Sequence, residues 1–177
     1  IDVRLVGSEM CIRDRFRLED AVRMVAARGR LMQSLPAGGK MISVVTDEVS
    51  AKAVIAELPS VSIAAVNAPQ SIVLSGEGQE IDVIAGRLDS QGIKITELSV
   101  SHAFHSPMME PVLNDFRIIA ESVDFSSPNI TLLSNVTGKP WNDAQLSAEY
   151  RVEHLRTAVR FEDVIDYEKS KKLEVCI

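Results

Sequence analysis

The 177-residue sequence has few aromatic residues, only two cysteines and no long apolar run. A membrane-spanning helix needs roughly 18 or more consecutive apolar residues, and charged side chains interrupt residues 1–15, where a signal peptide would need an apolar segment. Cys11 and Cys176 lie near opposite ends of the sequence and fit neither a metal-ligand nor a disulfide spacing. We therefore expect a protein of the reducing cytoplasm that does not bind a membrane.

Positive charge is also scarce, because 19 Lys and Arg residues stand against 25 Asp and Glu residues, for a net charge of −6. Proteins that track the phosphates of nucleic acids usually carry a basic excess, so we expect no nucleic-acid partner. Hydrophobic residues make up 46% of the sequence and charged residues 25%. This balance is typical of a folded globular domain and excludes intrinsic disorder.

The first periodic segment, residues 16–33, predicts an amphipathic helix. Its predicted apolar face consists of Leu18, Val22, Val25 and Met32. A proline and two glycines within residues 36–39 then interrupt the chain.

Residues 41–100 predict six elements in the order β-α-β-β-α-β. The strands are expected at 41–45, 61–66, 71–75 and 93–100, and the helices at 49–58, with Asp47 as its cap, and at about 81–92. This order within one short segment is the ferredoxin-like arrangement.

The remainder has α/β character but few strands. We expect a loop at 101–107, a helix at 108–123, a strand at 130–134, helices at 144–155 and 161–170, and a strand from Leu173. A doubly wound sheet needs more strands than these. The predicted fold class is therefore α/β, with a ferredoxin-like α+β subdomain inserted in an incomplete α/β core.

Two histidines, His102 and His105, follow the last predicted strand of the small subdomain. Functional side chains concentrate in such loops, and histidine exchanges protons near neutral pH. A plainer interpretation is that both are polar loop residues packed around Phe104. A zinc site is disfavoured because no cysteine or acidic residue nearby completes a ligand set.

Three further polar residues, Arg28, Asn67 and His154, also have structural interpretations. Arg28 lies on the polar flank of the first helix, where it is either solvated or a bidentate clamp for a carboxylate. Asn67 precedes Ala68-Pro69 and is most simply a turn residue, and His154 is most simply a residue on a helix surface. No Gly-x-Ser-x-Gly turn of a serine acyl-enzyme is present.

The segment SVSHAFHSP at residues 99–107 resembles the active-site segment of malonyl-CoA:acyl-carrier-protein transacylases, in the form found in modular type I polyketide synthases. Four other blocks are similar to that family in the same order: RGRLMQ at 28–33 with the following Pro36 and Gly38-Gly39, AVNAP at 65–69 with VLSG at 73–76, SNVTG at 134–138, and HLRTAVRF at 154–161. The match covers about residues 16–177, and five ordered blocks are more specific than any one alone.

The resemblance implies a two-part domain, with a ferredoxin-like subdomain inserted in an α/β hydrolase-like core and the site in the cleft between them. Residues 16–40 would belong to the core and 41–100 to the small subdomain. Residues 101–177 would hold the histidine loop and the C-terminal part of the core. Residues 1–15 match nothing in the family and resemble translated adapter sequence, so we expect them to be non-native.

The resemblance also implies the chemistry. A serine attacks the malonyl thioester of CoA, and the acyl group then passes to the phosphopantetheine thiol of an acyl carrier protein. His105 would be the catalytic base and then acid, and Arg28 would pair with the malonyl carboxylate. The backbone carbonyl of His154 would orient the other ring nitrogen of His105. Asn67 would support the site.

Substrate selection is implied by the stretch from His102 to His105, which resembles the form associated with malonyl rather than methylmalonyl groups. Bulky Phe104 would fill the space of an α-methyl group, which is worth only about 1–3 kcal/mol of discrimination. No bound cofactor is expected. The expected partners are the acyl carrier protein, a CoA thioester and neighbouring synthase domains.

The sequence also departs from the family. It has no Gly-His-Ser-x-Gly elbow, and Ser8 is rejected as the nucleophile because no glycine follows two residues later. Arg151 stands where the family more often has an aromatic residue. The chain as given is therefore expected to be inactive. Two alternatives stay open: a stand-alone ferredoxin-like ligand-binding or regulatory module, and a docking remnant that binds a carrier protein without catalysis.

Overall fold

The computed structural model describes residues 17–126 and 131–171. The helices are α1 (Leu18–Gln33), α2 (Glu48–Ile55), α3 (Gly78–Ser90), α4 (Glu110–Glu121), α5 (Ala148–Arg156) and α6 (Phe161–Ser170), and the strands are β1 (Gly39–Val44), β2 (Ser62–Ala68), β3 (Ser71–Glu77) and β4 (Ile95–Glu97). Two 3₁₀ turns, Pro107–Met109 and Asp143–Gln145, precede α4 and α5.

The four strands form one antiparallel sheet in the order β2-β3-β1-β4. The predicted element order β-α-β-β-α-β is found within residues 39–97. Helices α2 and α3 pack on this sheet over a buried core that includes Ile42, Val44, Ala51, Val66, Ile72, Leu74, Ile81, Ile84 and Leu88. The carboxylate of Asp47 accepts a hydrogen bond from the Ser50 main-chain N–H at 2.9 Å, which confirms the predicted cap of α2.

Strand β4 is shorter than the predicted 93–100. The Leu98 N–H still donates to the Met41 carbonyl, but the Val100 N–H turns back to the Leu98 carbonyl. This local turn takes the chain out of the ladder and into the histidine loop. The other strands begin or end within a few residues of their predicted bounds, since tertiary pairing rather than pattern sets their ends.

Helices α1, α4 and α5 form a second layer around Met24, Phe116, Ala120, Val152 and Leu155. A smaller cluster of Leu35, Met109 and Val112 joins this layer to the histidine loop. The predicted helix at 161–170 is confirmed with the same bounds. The predicted helices at 108–123 and 144–155 are each found as a 3₁₀ turn followed by an α-helix.

The predicted apolar face of α1 is largely exposed within the described residues. Leu18, Val22 and Val25 are 58%, 56% and 52% exposed, whereas Ala21, Met24 and Ala27 are buried. The helix is apolar on two sides, and α4 packs on the side that carries the small alanines. Met32, the fourth predicted member, does pack against the apolar clusters.

The predicted strand at 130–134 is reduced, within the described residues, to a single bridge between Leu133 and Pro140. Ile130, the predicted strand from Leu173 and residues 1–15 lie outside the described residues. Across residues 17–126 and 131–171, no helix is long and apolar enough to cross a membrane.

Candidate active site

The histidine loop joins β4 to α4 and carries His105 in a left-handed backbone conformation, with φ of 58°. Among the described residues, His105 is the one non-glycine residue with positive φ. Such a conformation is unfavourable for residues with a Cβ and persists where the surroundings enforce it.

Buried contacts hold the loop in this shape. The Ser106 hydroxyl is fully buried, donates to the Ala103 carbonyl at 2.7 Å and accepts from the Met108 N–H at 3.2 Å. Gly39 at the start of β1 lies directly beneath: a Cβ there would come within 2.6 Å of the Ala103 Cβ. A larger residue at position 39 would therefore displace the loop.

The imidazole Nδ1 of His105 lies 2.9 Å from the carbonyl oxygen of Thr157. Because a carbonyl only accepts, the proton is on Nδ1, and Nε2 carries the free lone pair. Thr157 is the residue that follows the C-terminus of α5, and the carbonyl of His154, which the resemblance implied as the partner, also acts on this ring as a hydrogen-bond acceptor. The chain leaves its helical conformation there, which turns the Thr157 carbonyl away from the α5 hydrogen-bond ladder and frees it for the imidazole.

The pKa of His105 lies below its ordinary value. Burial of the ring is the largest cause, and the positive charge of Arg28 adds to it, while the carbonyls of Thr157 and His154 oppose the shift. His105 is therefore neutral near pH 7, in the state that a general base requires.

His154 makes an edge contact with His105, with ring centroids 6.0 Å apart and an interplanar angle of 88°. Burial, together with the charges of Arg28, His105 and Arg151, lowers the pKa of His154 to about 4. The simpler interpretation placed His154 on a helix surface, but in the structure it is half-buried in the site.

Arg28 reaches this pair from α1. It is half-buried, and its charge lowers the pKa of both His105 and His154. Arg28 thus places a permanent positive charge beside two neutral imidazoles. This combination favours an anionic group bound beside the Nε2 of His105.

His102 is buried and Phe104 is half-buried. The His102 ring is 6% exposed, and its Nε2 donates to the Leu35 carbonyl at 3.0 Å while its Nδ1 lies 2.9 Å from the Ser101 hydroxyl. The two loop histidines therefore carry their protons on opposite ring nitrogens. Phe104 packs against apolar clusters on both sides, one from the helices and one from the sheet face of Met41, Ala64 and Val73. Asn67 is exposed near the end of β2.

Sequence reasoning missed the contribution of β2. The Ser62 hydroxyl donates to the main-chain carbonyl of His105 at 2.9 Å. Val159 pairs with the edge of β2, since its N–H donates to the Ala64 carbonyl and its carbonyl accepts from the Val66 N–H, both at 2.9 Å. No local pattern distinguishes Ser62 from other strand serines. Thr157 and Val159 lie within the 154–161 block, which the resemblance had singled out for His154 alone.

Arg160 ties the same segment to α2. Its guanidinium lies 2.8 Å from the Glu48 carboxylate and 2.7 Å from the Asp163 carboxylate. These contacts lower the pKa of Glu48 and raise that of Arg160. The ion pairs fasten the segment after α5 to the small sheet unit. Within residues 17–126 and 131–171, no group of three or more His, Cys, Asp or Glu side chains is arranged to hold a metal ion.

Residues 14–176 match the family model described as "Acyl transferase domain". The chain is 49% identical over 154 residues to the phenolphthiocerol synthesis polyketide synthase type I Pks15/1 of Mycobacterium marinum, covering 82% of this chain and 7% of that protein. It is 45% identical over 150 residues to the polyketide synthase GfsA of Streptomyces halstedii, covering 84% of this chain and 2% of that protein. The acyltransferase domain from the second module of the salinomycin polyketide synthase has a TM-score of 0.84 and 47% identity, covering 89% of this chain and 37% of that one.

Proposed function

We propose that this chain, which belongs to the acyl transferase domain family of type I polyketide synthases, is the histidine-bearing part of a domain that moves a malonyl extender group from CoA to an acyl carrier protein. Acyl transfer in polyketide biosynthesis is the reaction of the family. The chain spans less than a tenth of the curated relatives named above and about two fifths of the solved salinomycin domain. Activity therefore belongs to the complete domain, and the sequence given, which has no Gly-His-Ser-x-Gly segment, is proposed to be inactive alone.

The observation that carries the proposal is the hydrogen bond from His105 Nδ1–H to the Thr157 carbonyl. It leaves Nε2 unprotonated, and the lowered pKa keeps it so near pH 7. In the proposed reaction, Nε2 takes the proton of a serine hydroxyl in another part of the domain as that oxygen bonds to the thioester carbon. The carbon–sulfur bond to CoA then breaks, and His105 returns the proton to the departing sulfur.

The second half-reaction uses the same base. Nε2 takes the proton of the phosphopantetheine thiol of the carrier protein as the sulfur attacks the acyl-serine carbon. The carbon–oxygen bond to serine breaks, and the proton returns to the serine oxygen. No metal or bound cofactor takes part in this scheme.

Arg28 is proposed to bind the free carboxylate of the malonyl group. Its proximity to both imidazoles supports this, because a carboxylate in the same space would be paired with a guanidinium and not repelled. Phe104 and His102 would define the wall beside the acyl α-carbon. The packing of Phe104 supports this role in substrate selection. Apolar clusters hold its ring on both sides, so it has little freedom to move away from an α-methyl group.

We also propose that residues 41–100 are a ferredoxin-like subdomain inserted in an α/β hydrolase-like core, to which residues 16–40 and 101–177 contribute. The strand order β2-β3-β1-β4, with all pairs antiparallel, supports this assignment. The matches over 79–91% of the chain to polyketide synthases and their acyltransferase domains disfavour a stand-alone regulatory module. Neighbouring synthase domains and a carrier protein are the proposed partners, with Asn67 in a supporting position.

The test is acyl-enzyme formation by the complete domain with labelled malonyl-CoA. We expect His105→Ala to abolish labelling, because the base and the nucleophile act as a unit. His102→Ala is the comparison: it removes a buried imidazole from the same loop, and we expect it to change the preference among acyl groups more than the labelling itself. Equal labelling by both variants, with melting temperatures matching the wild type, would show that His105 is not the base.

A further inference from the structure

We infer that Ser62, the first residue of β2, is a positioning residue that holds His105 in its reactive geometry; this inference rests on the acyl transfer proposed above. Ser62 lies 43 positions before His105 in the sequence, and its hydroxyl donates to the His105 main-chain carbonyl at 2.9 Å. It would act through His105, without touching a substrate.

The first reason is the backbone of His105. A left-handed conformation has to be enforced from outside, and two hydrogen bonds constrain the main chain around His105. On one side the buried Ser106 hydroxyl bonds the turn around Ala103. On the other, Ser62 gives the His105 carbonyl a partner where the site is half-buried. Removing that hydroxyl would leave the carbonyl without this bond and favour rotation of the peptide toward solvent.

The second reason is that β2 also positions the partner of the imidazole. The edge of β2 brackets Val159 with two hydrogen bonds of 2.9 Å, one to the Ala64 carbonyl and one from the Val66 N–H. Val159 is two residues beyond Thr157, whose carbonyl accepts the Nδ1 proton of His105. One strand thus fixes both the main chain of His105 and the acceptor for its ring.

The strand is itself well anchored. β2 pairs with β3 at five positions, with irregularities between Ile63 and Ala65 and between Val66 and Ala68, and Ser62 faces Ser75 in the register of that pair. Ser75 is fully buried. Placement of a catalytic group within a fraction of an ångström depends on such rigid support, so Ser62 transmits the rigidity of the sheet to a loop residue.

The kinetic test uses the complete synthase polypeptide with Ser62→Ala, Ser62→Thr and Ser71→Ala. Ser71 is the matched control, because it is also a half-buried serine of the β2–β3 pair but lies at its opposite end, facing Ala68. We expect Ser62→Ala to lower kcat about tenfold with KM for malonyl-CoA nearly unchanged. Ser62→Thr retains the hydroxyl and should restore most of the rate, and Ser71→Ala should match the wild type.

A second measurement does not depend on activity. Carbethoxylation of the three histidines can be followed by mass spectrometry of one digest, with buried His102 as the internal reference. We expect the relative rate at His105 to rise on the order of threefold in Ser62→Ala, through local loosening of the loop, and to stay at the wild-type level in Ser62→Thr and Ser71→Ala.

The two measurements separate the two proposals. If the wild type is inactive, the acyl-transfer proposal is rejected. If the carbethoxylation rate at His105 still rises in Ser62→Ala in that case, Ser62 is retained as the residue that holds His105. Unchanged reactivity at His105 in Ser62→Ala would overturn the inference, whatever the activity. So would equal losses of kcat in Ser62→Ala and Ser62→Thr, because a lost hydroxyl could not then be the cause.

Discussion

His105 Nδ1 and the Thr157 carbonyl oxygen lie 2.9 Å apart, so the imidazole is oriented by a main-chain atom and not by a carboxylate. A neutral acceptor fixes the tautomer without adding a negative charge that would raise the pKa of the ring. With burial and Arg28 both lowering that pKa, the ring stays neutral near pH 7, as the proposed base requires. The same arrangement gives the ring little help in holding a proton, which would favour its prompt return to the leaving group in the proposed reaction.

The low pKa of His154 should make stability depend on pH. Its folded-state pKa of about 4 lies below the ordinary 6.5, so the unfolded chain binds the proton more readily between these values. The stabilising contribution is complete above pH 6.5 and is lost as the pH falls toward 4. We expect the free energy of unfolding, measured by urea titration, to fall between pH 7 and pH 4 by about 2–3 kcal/mol more in the wild type than in His154→Gln.

Replacing Arg28 tests whether the low pKa of His154 causes this pH dependence. Its charge contributes to the low pKa of His154, so Arg28→Ala should raise that pKa and reduce the loss of stability on acidification. If His154→Gln and the wild type lose stability in parallel from pH 7 to pH 4, the ring of His154 is not buried as a neutral group, and His105, whose pKa burial also lowers, would carry the pH dependence instead.

The separate parts of the site could be read from the sequence, but their contacts could not. Histidines after a strand and an arginine on a helix flank are local patterns, and resemblance gave them roles. Thr157 joins His154 as a main-chain acceptor for the His105 ring because the end of α5 frees its carbonyl. The role of Ser62 could not be predicted from the sequence, since its contact with His105 spans 43 positions and depends on how the loop folds over the sheet.

The two apolar sides of α1 should differ in their effect on stability. Met24 is 6% exposed and packs with Phe116 and Val152, whereas Val22 is 56% exposed. We expect Met24→Ala to lower the free energy of unfolding by about 2–3 kcal/mol. Val22→Ala should change it by less than about 0.5 kcal/mol. Urea unfolding of both variants measures this, and a larger loss for Val22→Ala would mean that the side of Leu18, Val22 and Val25 is buried in this chain.

Periodicity alone does not say which side of α1 is buried in this chain. It gives more weight to Leu18, Val22 and Val25 than to alanines, whereas the buried side carries Ala21, Met24 and Ala27. The pattern of the sheet unit was easier to read, because alternation, turn residues and the Asp47 cap all indicate the same elements. Sheet order and strand ends depend on distant pairing and had to come from the structure.

The ion pair between Glu48 and Arg160 should couple the sheet unit to the segment after α5. Both side chains are 25% exposed, and Arg160 also bonds Asp163. A double-mutant cycle of Glu48→Gln and Arg160→Gln should give a coupling free energy of about 0.5–1 kcal/mol in urea unfolding, after allowance for solvent screening. The exposed pair of Lys169 and Asp166 is the comparison, for which we expect about 0.3 kcal/mol or less. Equal coupling in the two cycles would mean that Arg160 does not fasten the two parts.

Arg28 should distinguish malonyl from acetyl groups. In the complete domain, Arg28→Ala would leave the malonyl carboxylate without its proposed bidentate partner, while acetyl has no carboxylate to pair. We expect the malonyl-to-acetyl ratio of kcat/KM to fall by the equivalent of about 2–5 kcal/mol, the cost of breaking a buried charge pair. Arg30→Ala, an exposed arginine two positions further along α1, is the matched control and should leave the ratio unchanged.

The same variant should shift the pH profile in a defined direction. Because the Arg28 charge lowers the pKa of His105, its removal raises that pKa, and the acidic limb of kcat/KM for acetyl transfer should move to higher pH. Measuring both substrates on one preparation cancels any folding defect. Should malonyl and acetyl transfer fall by the same factor, with the acidic limb in place, Arg28 has only a structural role. Some other group would then have to bind the carboxylate.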